Sequence, residues 1–256
     1  MPESTATSRV PAPFLRSRIP RALAARRPEA RWRPGLDEQP RHSEIFASGG
    51  EAGGAGLALA LARDALAAAG EDDDRRQVLW VQDRRAIRLG GRPCVQGLPP
   101  DLRHRLIHVA AATPEDALFA LEEGLRCRDL VCVIGEIAGN PRALSFTASR
   151  RLSLTAERHG VSLWLVRLDA EPDLSSARMR WRVSAAPSPH SRWNPAAPGY
   201  ATWRAELFRA RRHAPGEWIL SDANGTLRLD PAVAAPDSGD LVRPTVGRSL
   251  AARARA

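Results

Sequence analysis

The sequence predicts an α/β fold in which a mainly parallel sheet is flanked by helices. Two apolar runs of strand length, Leu130 to Ile134 and Val161 to Val166, enclose a segment with helical periodicity. In that segment apolar residues recur every fourth position, at Leu144, Ala148, Leu152 and Ala156. This order predicts a crossover between parallel strands, with Gly135 ending the first strand and Gly160 ending the helix. With 256 residues and 43% hydrophobic content, the chain can bury the core of one such domain.

The preceding residues repeat this alternation of strands and helices. Short strands are predicted at Glu44 to Ala47, Val78 to Val81 and Leu106 to Ala110. Helical spacing after the first strand is carried by Leu57, Leu61, Ala65 and Ala68. After the third strand, Thr113 is the predicted N-cap of a helix, Pro114 its first residue and Asp116 the partner in a capping box.

The pattern changes after Leu168. Strict alternation from Arg178 to Val183 predicts a half-buried antiparallel strand, with Met179, Trp181 and Val183 on the core face and Arg178, Arg180 and Arg182 on the other. Trp203 to Arg209 is a further predicted strand. Two short apolar segments flank Asn224-Gly225, which predicts a hairpin.

The charge is unevenly distributed and suggests three regions. An Arg- and Pro-rich arm, residues 1–36, has eight arginines against two glutamates, whereas residues 37–175 carry a net charge of −4. We expect the α/β domain over 37–230 and a disordered basic tail over 231–256. Because the two ends carry the basic charge, any DNA contact should be weak, sequence-neutral and made by them.

The sequence predicts no catalytic residue, metal site or cofactor. His104, His108 and His159 have no nucleophile or carboxylate at a telling spacing, and the three cysteines are expected to be buried free thiols. All 38 cations are arginines, which excludes any mechanism that needs a lysine. No apolar run reaches the ~20 residues of a membrane span, and we expect a cytoplasmic protein.

A glycine-rich loop follows the first strand and resembles a phosphate-binding loop that lacks the lysine and the hydroxyl residue. Gly49 and Gly54 stand at the two glycine positions, but Ala55 replaces the lysine and Gly56 replaces the hydroxyl residue. Glu51 is expected to add negative charge inside this loop. The working, vestigial and coincidental interpretations of the loop all remain open at this point, and the vestigial one is preferred.

Two further features have competing interpretations. Glu136, at the end of the fourth predicted strand, stands where a nucleotide-site acid could lie, but such a carboxylate is more often a loop or helix-terminus partner. Partner or nucleic-acid contact is predicted for Arg178, Arg180, Arg182, Trp203 and Arg204, with Trp193 also exposed. The alternative for the arginines is a solvated edge strand guarded against aggregation.

Three segments carry a family resemblance over roughly residues 36–230. The sequences GEIAGNPRALSFTASRRLSLTAERHGVSLWLVRL, SSARMRWRVSAAPS and ATWRAELFRARRHAPGEWIL resemble the ImuA family of bacterial damage-inducible mutagenesis proteins. The resemblance implies a RecA-like core, produced in the SOS response and associated with the nucleoid when engaged. It also implies that the protein acts in translesion synthesis with an ImuB-like inactive Y-family polymerase and an error-prone C-family polymerase, with RecA as a further candidate partner. RecA's two DNA loops correspond to Glu136 to Ser145 and Leu168 to Arg178, both short here, the second acidic.

Three functions therefore remain in competition. The leading prediction is a non-enzymatic adaptor of mutagenic translesion synthesis. The rivals are an ATP-dependent RecA-like repair or recombination ATPase and an α/β protein that binds a small molecule. The missing lysine and hydroxyl count against the ATPase, and the arginines and tryptophans favour a macromolecular partner over a small ligand.

Overall fold

A computed structural model describes residues 41–68, 76–188, 194, 197, 199–223 and 226–231. The predicted arm over 1–36, Trp193, Asn224-Gly225 and the tail beyond Pro231 lie outside the described residues. In chain order the elements are β1 His42–Ala47, α1 Gly53–Ala68, β2 Gln77–Asp83, α2 Arg84–Gly90, β3 Leu106–Ala111, α3 Pro114–Arg126, β4 Leu130–Ala138, α4 Phe146–His159, β5 Ser162–Leu168, β6 Met179–Ala185, β7 Thr202–Ala210, β8 Gly216–Ala223 and β9 Thr226–Pro231.

The strands form one nine-stranded sheet in the order β3-β2-β4-β5-β1-β6-β7-β8-β9. The first six strands of that order are parallel, and β7, β8 and β9 continue the sheet antiparallel. The predicted α/β class, the parallel core and the antiparallel C-terminal addition are confirmed. The prediction for β6 is corrected, because this strand pairs parallel with β1 as well as antiparallel with β7 and so lies inside the sheet.

Helices cover the two faces of the sheet unequally. Helices α1 and α2 contribute to one buried cluster, which extends to the tryptophans of the antiparallel strands, Trp181, Trp203 and Trp218. Helices α3 and α4 form a second buried cluster with β2, β4 and β5. On the face of α3 and α4, side chains of β6 and β7 such as Arg182 and Arg204 are exposed. No helix in the described part of the chain covers that region, so the sheet face of β6 and β7 lies open beside α4.

Two glycines were predicted to end an element, Gly135 a strand and Gly160 a helix, and the structure gives them different roles. Gly160 ends α4 in the left-handed conformation, with φ 73°, as predicted. Gly135 was expected to end β4, and that expectation is wrong, because the strand continues to Ala138. A Cβ at Gly135 would lie 2.9 Å from Leu121 and 3.0 Å from Leu165. This glycine is therefore required by close packing under α3.

The helix starts agree with the sequence more closely. In α3 the Thr113 side chain accepts a hydrogen bond from Asp116 N, and the Asp116 carboxylate accepts from Thr113 N, which confirms the capping box. Helix α4 begins after Ser145, whose hydroxyl accepts from Ala148 N. Helix α1 begins at Gly53, earlier than Leu57 and within the glycine-rich stretch.

Candidate functional site

The glycine-rich loop lies where a phosphate-binding loop would, between β1 and α1. It is a tight turn held by its own polar groups: Gly50 N donates to the Ser48 hydroxyl at 3.1 Å, and Glu51 N donates to Ser48 O at 3.3 Å. Since backbone N–H groups are what such a loop offers to a phosphate, their partners decide what the loop can bind.

A carboxylate of the protein itself occupies one of these N–H groups. Asp169, directly after β5, accepts a hydrogen bond from Gly49 N at 2.8 Å. A Cβ at Gly49 would lie 2.7 Å from the Asp169 side chain, so the glycine permits this approach. Asp169 also has φ 48°, a left-handed conformation that Asp tolerates better than most residues. Its fixed negative charge opposes a phosphate at this N–H.

Glu51 does not have the position expected of it. Its carboxylate accepts a hydrogen bond from the backbone N–H of Ala185, the last residue of β6, at 2.8 Å. The expectation placed this charge inside the loop, whereas the structure uses it to join the loop to the end of β6. Asp169 supplies the negative charge at the loop, and the sequence marked it only as part of an acidic segment.

Packing explains the residues that depart from a working nucleotide loop. A Cβ at Gly56 would lie 3.1 Å from the indole of Trp203, so a serine or threonine at that position meets the ring. Ala55 packs, partly buried, against the core under α1. Gly54 allows α1 to approach Ala47 and Val166, which a Cβ would meet at 2.8 Å. Ala55 and Gly56, which stand where a phosphate-binding loop has its lysine and its Mg²⁺ ligand, thus contribute to core packing.

Glu136 is buried in the sheet and does not end a strand. Its two carboxylate oxygens accept hydrogen bonds from Trp80 Nε1 and Gln82 Nε2, each at 2.9 Å. Burial raises the pKa of the Glu136 carboxyl, and the bonds from Gln82 and Trp80 act in the opposite direction. Glu136 was predicted to be either a nucleotide-site acid or a partner of a loop or helix terminus. The arrangement matches neither role, because both carboxylate oxygens accept hydrogen bonds from β2 side chains within the sheet.

The predicted arginine surface is neutralised by carboxylates. Each of its four arginines faces a glutamate: Arg178 with Glu157 at 2.5 Å, Arg180 with Glu44 at 2.7 Å, Arg182 with Glu206 at 2.5 Å and Arg204 with Glu217 at 3.2 Å. The expected exposure is wrong for Arg180, which is 3% exposed, and for Trp203, which is 6% exposed. Arg178, Arg182 and Arg204 remain accessible, and their contact with a partner stays a prediction. Because β6 is flanked by β1 and β7, the edge-strand alternative is also wrong.

Arg180 belongs to a buried charge network that the sequence did not indicate. Glu44 in β1 accepts bonds from Arg180 Nε and from the Ser175 hydroxyl, both at 2.7 Å. Arg167 lies 3.8 Å from Glu44, and both guanidinium groups stack over the Phe46 ring. Alternation along β6 suggested a solvated arginine, whereas the facing acid on β1 could be found only from the strand pairing.

A small cavity of about 270 Å³ opens at the carboxyl ends of β2 and β4. Three arginines from α2 line it, Arg84, Arg85 and Arg88, and the guanidinium of Arg85 lies over Gly139. Asp83 also lines it, but its carboxylate caps α2 by accepting from Ala86 N at 2.6 Å. The cavity lies at the other side of β4 from the glycine loop, because β5 and β1 follow β4 in the sheet. None of the residues that line the cavity belongs to that loop.

Cysteine and histidine side chains form no reactive cluster in the described residues. No group of three or more His, Cys, Asp and Glu side chains in those residues could hold a metal ion. Cys132 is buried, and burial raises its pKa to about 12. The prediction of buried thiols is wrong for Cys94 and Cys127, which are exposed. None of the helices in the described ranges has the length and hydropathy needed to cross a membrane.

The fold and the loop together define a class: an α/β protein with a RecA-like core in which a carboxylate of the chain itself bonds to the glycine-rich loop after the first strand. The chain is similar to Protein ImuA of Caulobacter vibrioides. It is 32% identical over 126 residues, 45% of this chain and 50% of the relative, both in strain NA1000 / CB15N and in strain ATCC 19089 / CIP 103742 / CB 15. The chain spans about half the length of the curated relatives it matches. No family model matches it.

Proposed function

We propose that this protein is a non-catalytic accessory factor of damage-induced mutagenesis, related to ImuA. The observation that carries the proposal is the hydrogen bond from Gly49 N to Asp169, which places a carboxylate on the loop that would otherwise receive a nucleotide phosphate. The similarity to Protein ImuA supports the same class. A RecA-like core without nucleotide chemistry is suited to present surfaces to partners.

Several observations make an ATP-driven motor a poor account of the chain. In a phosphate-binding loop the lysine pairs with the β- and γ-phosphates, and the next hydroxyl holds Mg²⁺. Here the corresponding residues are Ala55, which packs on the core, and Gly56, which lies under Trp203. There is no lysine elsewhere in the sequence to replace the missing charge.

The proposed role is in bacterial SOS-induced translesion synthesis in the cytoplasm, with association to the nucleoid during repair. Its proposed partners are an ImuB-like inactive Y-family polymerase, the error-prone polymerase complex and RecA. DNA contact is proposed to be weak and to come from the arginine-rich ends, because Arg180, Arg182 and Arg204 of β6 and β7 are paired with glutamates. Arg178, Arg182, Arg204 and the neighbouring sheet face are the proposed contact surface for protein partners.

Complementation in the native bacterium tests the role. Deleting the gene should lower the mutation frequency after ultraviolet damage, and the full chain should restore it. Gly50→Asp should restore it equally well, because a Cβ at Gly50 meets only the Ser48 hydroxyl, at 3.6 Å, while the added carboxylate would repel a phosphate. Loss of mutagenesis with Gly50→Asp at normal protein level would contradict the proposal, and so would a deletion without effect.

A further inference from the structure

A groove lies beside α4, on the side away from α3. Helix α4 forms one wall with Phe146, Arg150 and Leu154, and the chain between β5 and β6 adds Leu174. Arg209 and Arg211, at the end of β7, belong to the opposite wall, and the groove encloses about 720 Å³. Because β6 and β7 follow β1 in the sheet and lack a helix on this face in the described ranges, the groove is open where a further helix would fit.

The groove gathers exposed apolar side chains. Phe146 is 41% exposed, Leu154 53% and Leu174 66%, and these are three of the eight large apolar side chains that are exposed in the described residues. Single exposed apolar residues need no explanation, but a contiguous group on a soluble domain marks an interaction site.

The same groove is strongly basic. Its lining contains Arg150, Arg178, Arg209 and Arg211 and no carboxylate. Arg178 pairs with Glu157, while Arg150, Arg209 and Arg211 have no ion pair within the described residues. A stable occupant must therefore supply both apolar side chains and acids. The N-terminal arm of this chain fits poorly, since residues 1–36 have eight arginines against two glutamates.

Helix α3, on the other side of α4, has the complementary surface. Phe119 is 68% exposed at its centre. Glu115, Glu122 and Glu123 lie three or four residues from Phe119, so they surround it on the helix surface. Glu115 has no ion pair in the described part of the chain, whereas Glu122 and Glu123 contact Arg126, and Glu122 also contacts Arg151 of α4. An acidic, aromatic ridge and a basic, apolar groove thus flank one helix.

We propose that this face of α3 and α4, with the groove beside it, docks a second copy of the chain. A twofold axis along α4 brings the α3 ridge of each copy over the groove of the other, and Leu154 lies near the axis. Such an interface is self-complementary, as a twofold dimer requires, and it places each set of unpaired arginines opposite glutamates. This inference does not depend on the proposed role in mutagenesis.

Sedimentation equilibrium of the full chain over a range of concentrations tests the dimer. We expect a reversible dimer and, for Leu154→Glu, a dissociation constant raised at least about tenfold, which corresponds to about 1.4 kcal/mol. Two charge changes, Glu115→Arg with Glu123→Arg, and Arg150→Glu with Arg209→Glu, should each weaken the dimer. Combining all four in one chain should restore it, because both copies then carry the exchanged charges.

Arg84→Glu is the matched control, since Arg84 is an exposed arginine of the cavity at β2 and lies outside this face. It should leave association unchanged. All changed residues except Arg209 lie on helix surfaces, and circular dichroism with a melting curve establishes that each variant folds. A monomer at every concentration, a dimer unaffected by Leu154→Glu, or charge changes without restoration would each overturn the inference. Binding of the groove to an acidic peptide by a strictly monomeric chain would overturn it in favour of a different partner.

Discussion

The backbone N–H of Gly49 donates a 2.8 Å hydrogen bond to the carboxylate of Asp169, across 120 positions of sequence. The bond joins the loop after β1 to the turn after β5, two strands that are neighbours in the sheet. In a nucleotide-binding protein of this architecture that N–H would be free for a phosphate. The relationship therefore links the fold directly to the proposal that this loop does not bind a nucleotide.

Removing the Asp169 carboxylate should destabilise the protein without creating a nucleotide site. Asp169→Asn keeps a side chain that tolerates φ 48° but weakens the bond to Gly49, and we expect a loss of about 1 to 2 kcal/mol in the free energy of unfolding. Urea denaturation measures the loss. Gly50→Ala is the control and should change stability by less than about 0.5 kcal/mol. A variant as stable as the parent would show that the charge of Asp169 does not strengthen the bond to Gly49.

Restoring the hydroxyl of a phosphate-binding loop should also be costly. Gly56→Ser places a Cβ 3.1 Å from the Trp203 indole, and overpacking of this kind costs about 1 to 3 kcal/mol. Chemical denaturation of Gly56→Ser and Gly50→Ser compares a crowded position in the first turn of α1 with an open position in the loop before it. Equal stability of the two variants would mean that Trp203 does not pack on Gly56.

The arginines of β6 should separate into two energetic classes. Arg180→Gln removes the nearer of the two arginines beside the buried Glu44 and should cost about 3 kcal/mol. Arg182→Gln removes an exposed pair with Glu206 and should cost less than about 1 kcal/mol. Arg182→Glu is consequently suited to test partner binding in a folded protein, whereas Arg180→Glu is not. Denaturation curves in which the two glutamine variants coincide would contradict this division.

Stability should fall as the pH falls from neutral toward about 4. His42 is buried, and burial lowers its pKa to about 4; Glu44 opposes this, and Arg178 and Arg180 add to it. Below the unfolded pKa of 6.5 the unfolded chain binds a proton that the folded chain does not, so the folded state loses about 2 kcal/mol between about pH 7 and about pH 5.

The variant His42→Gln should remove this part of the pH dependence, measured by urea denaturation at several pH values. His104→Gln, at an exposed position, is the control and should leave the pH dependence as it is. If His42→Gln retained the full slope, another group would be responsible.

The sequence predicted those features that depend on residues close together in the chain. Periodicity predicted the strands of the parallel core, and the capping residues Thr113 and Asp116 predicted the start of α3. It failed where an element distant in the sequence decides the environment: Gly135 depends on α3, Arg180 on Glu44 in β1, and Trp203 on Gly56 in α1. The departure of Ala55 and Gly56 from a phosphate-binding loop could be seen in the sequence, but Asp169 could be assigned to the loop only once β5 was placed beside β1.

Titration of the purified full chain with Mg²⁺-ATP tests the central claim most directly, with binding heat and phosphate release followed together. We predict no saturable heat at ATP concentrations up to about 1 mM, the upper end of typical enzyme KM values, and no phosphate release above the buffer rate. Asp169→Asn is measured in parallel and should behave in the same way. Saturable binding, or turnover that Gly50→Asp abolishes, would contradict the account and identify the protein as a nucleotide-driven motor.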